Sequence, residues 1–121
     1  VPGGGAALLH CTSVKVNLDT PTEEFGKQIL LSALEAPVRQ IAKNCSVSGD
    51  LIVDEIRKTS KRKKSNAYGY NFLSEKVVDM FENGIVDPTK VTSTAIRNAV
   101  SVVTTLLTTA TCIIKESENE S

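Results

Sequence analysis

Residues 84–90, Gly-Ile-Val-Asp-Pro-Thr-Lys, form the stretch around which the chain is organised. A short apolar pair ends at Asp87, Pro88 follows, and a long helical pattern then begins. Asp87 suits an N-cap, because its carboxylate can accept from backbone N–H groups two or three residues further on. Pro88 suits the first helical position, where its missing donor costs nothing. Two interpretations stay open here: Asp87 is only a helix cap, or it lies at a concave junction and holds a polar ligand.

Composition describes an ordinary globular chain. The 121 residues are enough for one domain at most, with 40% hydrophobic and 23% charged residues. The formal net charge is zero, so the molecule has no general attraction for nucleic acid or an anionic membrane. Aromatic residues make up only 4%, which disfavours a platform for base stacking. We therefore expect no nucleic-acid partner.

The cysteines and the single histidine favour neither a metal site nor a catalytic site. Cys11, Cys45 and Cys112 are odd in number, far apart and without a C-x-x-C pair. His10 lies beside Cys11 rather than at the spacing of zinc ligands, and one histidine leaves little room for a His-based triad. We predict buried thiols in a reducing compartment, no metal and no catalytic residue.

The start of the chain and its longest uncharged run resemble neither a signal sequence nor a membrane-spanning helix. The chain begins Val-Pro-Gly, without an initiator Met or a signal sequence, which suggests a piece of something longer. The uncharged run at 98–114 carries many threonines and is shorter than the ~20 apolar residues of a spanning helix. We expect no membrane-crossing segment.

The first half of the chain is predicted to be helical. Three glycines precede a helix from residue 6 to about 18, and they suit either a tight turn facing a ligand or a flexible linker. Thr20 and Glu23 have the spacing of a capping box. The apolar stripe behind them predicts a core-facing helix to about Asn44, bent at Pro37.

The middle of the chain is read as short elements. Residues 50–58 predict a shorter helix. The basic run at 58–64 is interpreted as a solvated loop, with a phosphate-binding or targeting patch as the alternative. Residues 68–70 are extended in character, and a brief helix is predicted through Val77, Val78 and Phe81. A short strand at 85–86 is predicted to pair with 68–70 as a hairpin.

The pattern after Pro88 is apolar on most of a helical circumference, which places that helix in a core or between subunits. The β-branched residues near 111–115 predict a C-terminal strand, and 116–121 a disordered tail. The fold class is therefore mainly helical, all-α, with a minor hairpin and this strand.

Several motifs together resemble one known family. Four segments of this chain resemble group I, GroEL-like chaperonins, where they occur in the same order and at the same spacing. They are VPGGGAAL at 1–8, ALEAPVRQI at 33–41, YGYN at 68–71 and GIVDPTKV at 84–91. The resemblance extends over residues 1–115 and identifies the C-terminal half of an equatorial domain. Residues 1–121 would then be a single partial domain.

The resemblance implies a function. Chaperonins of this family use ATP hydrolysis to enclose non-native polypeptides in a ring-shaped oligomer under a co-chaperonin lid. The residues that match the family's nucleotide contacts are Gly4, Asn71, Ile85 and Asp87. By similarity, Asp87 reaches the ribose, the glycine turn offers unobstructed backbone, and the Asn71 segment lies along the base. The family occurs in bacterial cytoplasm and in the mitochondrial and plastid matrix.

The chain also departs from the family pattern. Phe72 and Leu73 stand where small residues are usual, and we expect their bulk to hinder tight nucleotide binding. The phosphate loop, which would also hold Mg²⁺, and the aspartate that promotes hydrolysis lie outside this sequence, so we expect no ATPase activity from it alone. The alternatives are a helical interaction module without nucleotide binding, and nucleic-acid binding through 58–64.

Overall fold

The computed structural model describes residues 1–15 and 17–120, and the chain divides into two compact units, Val1–Asp87 and Pro88–Ser121. The described part of the chain is mainly helical with one two-stranded hairpin, which confirms the predicted fold class. The first unit contains α1 to α4 and the strands β1 and β2, and the second contains α5. Their bounds are α1 Ala6–His10, α2 Pro21–Leu34, α3 Ala36–Asn44, α4 Gly49–Lys63, β1 Tyr68–Asn71, β2 Lys76–Asp79 and α5 Thr89–Glu120.

The first helix is shorter than predicted. α1 ends at His10 and continues only as a 3-10 turn over Cys11–Ser13. The Val14 N–H donates to the Cys11 carbonyl at 3.2 Å, an i to i+3 bond of a 3-10 turn, and the Thr12 and Ser13 hydroxyls donate to carbonyls three residues earlier at 2.7 and 2.8 Å. The helix predicted to residue 18 is therefore wrong beyond residue 13, and Val16 lies outside the described residues.

The capping signal at Thr20 is confirmed. The Thr20 hydroxyl accepts from the Glu23 backbone N–H at 3.2 Å, and α2 begins at Pro21. The Glu23 carboxylate accepts from the backbone N–H of Asp19 at 3.0 Å, one residue before its partner in an ideal capping box. The first contact satisfies a donor that the first turn of a helix leaves free, and the second fixes the residue just before the cap.

Pro37 breaks the helix that the apolar stripe predicted as one bent element. Its ring has no N–H for the ladder and would clash with the carbonyl of Ala33. α2 accordingly ends at Leu34 and α3 begins at Ala36, with Glu35 between them. The Glu35 carboxylate accepts from Arg39 at 3.0 Å and from Arg57 at 2.5 Å, which ties the break to α4.

The core of the first unit lies between α1, α3, α4 and β1. Its buried side chains are Leu9, Val38, Ala42, Ile52, Val53, Ile56 and Tyr70. α2 contributes no buried residue, and its Phe25 and Ile29 are exposed. The prediction of a core-facing stripe holds for the α3 half and is wrong for α2, because the break at Glu35 separates the two halves of the stripe.

The basic run is helical, not a loop. α4 continues to Lys63, and Lys64 ends it in the left-handed conformation with φ 52°. Cations near a helix C-terminus interact favourably with the carbonyl end of the helix dipole, which suits Lys61, Arg62 and Lys63 to the last turn.

The hairpin uses a different second strand from the one predicted. β1 pairs antiparallel with β2, so that Tyr68 faces Asp79 and Tyr70 faces Val77. The helix predicted through Val77 and Val78 is wrong, because the β-branched pair lies in a strand. The pairing of 68–70 with 85–86 is also wrong: Val86 instead forms an isolated antiparallel bridge with Pro2.

The second unit is a single long helix. α5 begins one residue after Pro88 and extends through the strand predicted at 111–115, which is therefore wrong. Its threonines remain compatible with a helix because their hydroxyls donate to carbonyls four residues earlier, as Thr108 and Thr111 do at 2.8 and 2.9 Å. α5 includes residues 116–120 of the predicted tail, and Ser121 lies outside the described residues.

Two surface features of the described residues differ from expectation. All three cysteines are free and exposed, so the prediction of buried thiols is wrong. α5 is also long and apolar enough between residues 89 and 118 to cross a membrane by length and composition alone, a criterion that the core helix of a soluble protein can also meet.

Candidate functional site

The first residues of the chain run antiparallel to residues 85–87. The backbone N–H of Gly3 donates to the Ile85 carbonyl at 2.9 Å, and the Asp87 N–H donates to the Val1 carbonyl at 2.9 Å. The amino group of Val1 returns a hydrogen bond to the Asp87 carbonyl at 3.0 Å. These bonds hold the glycine turn beside the stretch that ends at Asp87.

Ile85 is fixed from its other side by the segment that follows β2. Its backbone N–H donates to the Met80 carbonyl at 2.9 Å, and the Met80 side chain is fully buried. Met80 in turn continues the hairpin, because its N–H donates to the Ala67 carbonyl at 2.9 Å. The hairpin therefore sets the position of Ile85.

Gly4 lies between this segment and the end of β1. It has φ +64°, a backbone conformation that residues other than glycine rarely adopt. A Cβ atom there would lie 3.2 Å from the Met80 methyl carbon and 3.6 Å from the Tyr70 carbonyl oxygen. The backbone at Gly4 thus approaches the peptide that joins Tyr70 to Asn71.

Asn71 ends β1 and opens the hairpin turn. Its side-chain oxygen accepts from the backbone N–H groups of Leu73 at 2.9 Å and Ser74 at 3.3 Å. This local turn fixes the orientation of the side-chain amide and leaves its NH₂ group as a donor.

The Asp87 carboxylate is unpaired among the described residues, as is that of Asp19, whereas the side chains of Asp50, Asp54 and Asp79 have partners. Asp87 is also exposed. Asp79 accepts from the N–H groups of Phe81 and Glu82, and Asp50 pairs with Arg39. The Asp87 carboxylate therefore keeps both oxygens free to accept hydroxyl donors. The N-cap hydrogen bond predicted for this carboxylate is therefore not formed among the described residues, and that prediction is wrong.

The two bulky residues after Asn71, Phe72 and Leu73, lie in different surroundings. The Phe72 ring contacts the Tyr70 ring edge-on, with centroids 4.7 Å apart, and packs against the core. Leu73 is 97% exposed. The bulk of Phe72 is thus accommodated in the core, on the side of the strand that carries Tyr70.

The structure places two of the four predicted site residues, Ile85 and Asp87, in the bridge with the first residues of the chain, and Gly4 directly follows the paired Gly3. Asn71 lies at the neighbouring strand end. The arrangement presents an amide donor and an unpaired carboxylate, groups that can form hydrogen bonds with a ribose and a base. Among the described residues no cluster of three His, Cys, Asp or Glu side chains has the geometry to hold a metal ion.

Sequence reasoning missed three residues that contribute to this arrangement. Val1 and Pro2 supply the partners of Asp87 and Val86, and Met80 supports both Gly4 and Ile85. Met80, the only methionine of the chain, lies within the stretch predicted to be helical, and it belongs to no motif whose spacing would have indicated a site.

Comparisons with known proteins identify the family. A profile of the TCP-1/cpn60 chaperonin family matches residues 1–117. A solved structure, described as a group III chaperonin in the open state, superposes with a TM-score of 0.80 at 31% sequence identity over 89% of this chain. This chain covers 22% of the length of that protein. The match extends over nearly all of the sequence, and the chain belongs to the TCP-1/cpn60 chaperonin family.

Proposed function

We propose that this chain is part of an ATP-dependent chaperonin that assists the folding of non-native polypeptides. Family membership and the similarity to a chaperonin structure support this proposal. The motifs at 1–8, 33–41, 68–71 and 84–91 further favour a group I, GroEL-like protein. A group I protein would be located in the bacterial cytoplasm or an organelle matrix and would bind a co-chaperonin.

The proposed role of the first unit is to supply one wall of a nucleotide pocket. Asp87 would accept hydrogen bonds from the two ribose hydroxyls, and the backbone of the turn at Gly4 would lie beside the ligand. The Asn71 amide and Ile85 would line the base. The observation that carries this proposal is the open carboxylate of Asp87, held beside the glycine turn by the bonds to Val1.

This wall would bind and orient without performing chemistry. ATP, when bound in the whole protein, supplies the phosphoryl group whose hydrolysis drives the folding cycle. No residue of this nucleotide wall is assigned to position the attacking water or to hold the ATP phosphates and Mg²⁺. We therefore expect the isolated chain to lack ATPase activity.

A second role is contact with other parts of the subunit and with other subunits of a ring. α5 exposes apolar side chains along its length, and α2 does the same at Phe25 and Ile29. Such surfaces are typical of segments that are covered by a partner. The alternative function, a helical interaction module without nucleotide binding, rests on the same exposed surfaces.

Adenosine binding separates these two functions. Adenosine carries the ribose and the base but no phosphate, so it tests only the groups assigned here. Saturating adenosine should raise the calorimetric unfolding temperature of the 121-residue chain by a few degrees, because ligand at ten times its dissociation constant stabilises by about 1.4 kcal/mol.

Matched variants assign the effect to the carboxylate. Asp87→Ala should abolish the shift, and Glu82→Gln, which removes a nearby exposed charge, should retain it. The absence of a shift in the unmodified chain, or an equal shift in Asp87→Ala, would favour the interaction module.

A further inference from the structure

A cavity of about 670 Å³ lies in the first unit, away from the residues assigned to the nucleotide. It is bordered by the 3-10 turn Cys11–Ser13, the carboxyl half of α2 and the end of α4. Among its lining residues are His10, Glu35, Arg57, Lys61, Lys64 and Asn66. Its volume is that of a typical small-molecule site.

The charges around this cavity are unbalanced. Arg57 is neutralised by Glu35, the one acidic residue of the lining, at 2.5 Å. Lys61 and Lys64 form no ion pair with any residue that the structure describes, whereas Lys58, on the same helix, pairs with Asp54 at 2.8 Å. The lining therefore carries two uncompensated positive charges.

The donors are also partly ordered in advance. The Arg57 guanidinium is fixed by Glu35 and by the Thr12 hydroxyl at 3.1 Å, and both bonds use the same terminal nitrogen. Its remaining N–H groups stay available to a ligand. Ser60, also among the lining residues, has a buried hydroxyl without a hydrogen-bond partner among the described residues.

We propose that this cavity binds a small ligand that carries a phosphate or diphosphate group, held by Lys61, Lys64 and the ordered guanidinium of Arg57. Lysine and arginine donors match phosphate oxygens in charge and in hydrogen bonding. The lining contains no Phe, Tyr or Trp, so it offers no platform for stacking nucleic-acid bases. The concave shape favours a small anion over an extended polymer.

The proposed site is independent of the nucleotide wall. Its lining contains none of Gly4, Asn71, Ile85 or Asp87. It also differs from a general basic surface, because Arg62 and Lys63 lie in the same run but do not line the cavity. This difference supplies a control with the same loss of charge.

Titration of the 121-residue chain with inorganic pyrophosphate tests the proposal, with backbone amide NMR shifts as the readout. We expect saturable binding below 10 mM, with shifts at Lys61, Lys64 and Asn66. The double variant Lys61→Gln, Lys64→Gln should bind at least tenfold more weakly, and Arg62→Gln, Lys63→Gln should bind within twofold of the unmodified chain. All four side chains are exposed, so neither variant removes a core contact.

Three results would overturn the proposal. The first is no saturable binding by the unmodified chain below 10 mM pyrophosphate. The second is an equal loss in both double variants, which would indicate attraction by net charge alone. The third is a set of shifts confined to Gly4, Ile85 and Asp87, which would place the anion at the nucleotide wall instead.

Discussion

Replacing Gly5 by alanine is expected to destabilise the first unit strongly. Gly5 precedes α1 and has φ +79°. An added Cβ would lie 2.7 Å from the Val38 backbone nitrogen and 3.0 Å from its Cα and Cβ atoms. These atoms belong to α3 and Val38 is fully buried, so they cannot move aside without disturbing the core.

The magnitude has two parts. An alanine in the left-handed conformation costs about 1 kcal/mol, and overpacking against a buried backbone costs a further 1–3 kcal/mol or so. Gly84→Ala is the matched control, because Gly84 has φ +69° but an added Cβ would meet nothing within 4 Å. Gly84→Ala should therefore show only the first part, and the difference of about 2 kcal/mol measures the contact between Gly5 and α3.

Urea unfolding followed by tyrosine fluorescence reports on the unit Val1–Asp87, because both tyrosines of the chain lie in β1. With an m-value of about 1.5 kcal/mol/M, the midpoint of Gly5→Ala should lie about 1.3 M below that of Gly84→Ala. Equal midpoints for the two variants would refute the close packing of the glycine turn on α3.

Two further predictions concern the core and its ion pairs. Ile56→Ala should lower the free energy of unfolding by about 2–5 kcal/mol in the same urea assay, because Ile56 is fully buried. Leu51→Ala, on the exposed face of α4, should lower it by less than about 1 kcal/mol. Similar losses in the two variants would contradict the assigned core. The hydrogen bond from Arg57 holds the pKa of Glu35 below its ordinary value of 4.5, so the associated stability is present above that value and is lost as the pH falls through the lowered pKa. Glu35→Gln should therefore cost about 1 kcal/mol at pH 7 and progressively less in acid, and a deficit that is unchanged at pH 3, or equal to that of Glu82→Gln, would contradict this role.

The sequence predicted best where one local signal acted alone. Thr20 and Pro21 fixed the start of α2, and Pro88 the start of α5, because capping and proline geometry depend only on neighbouring residues. The Gly4 and Asp87 pair emerged from motif resemblance, and chain topology then brought the two segments together.

The failures arose where distant contacts or helix context outweighed propensity. Val77 and Val78 became a strand because β1 was available as a partner, which no local pattern could show. The β-branched residues near Thr111 remained helical because their hydroxyls bond to the preceding turn. Lys61 and Lys63 extended α4 despite their lack of apolar periodicity, since charged residues are good helix formers.

The most direct test of the central claim is an amide NMR titration of the 121-residue chain with adenosine. The account predicts saturable shifts at Gly4, Asn71, Ile85 and Asp87, and their loss in Asp87→Ala with the remaining spectrum unchanged. Shifts at other residues only, or no saturable shifts at these four, would contradict a nucleotide wall built from the glycine turn and Asp87.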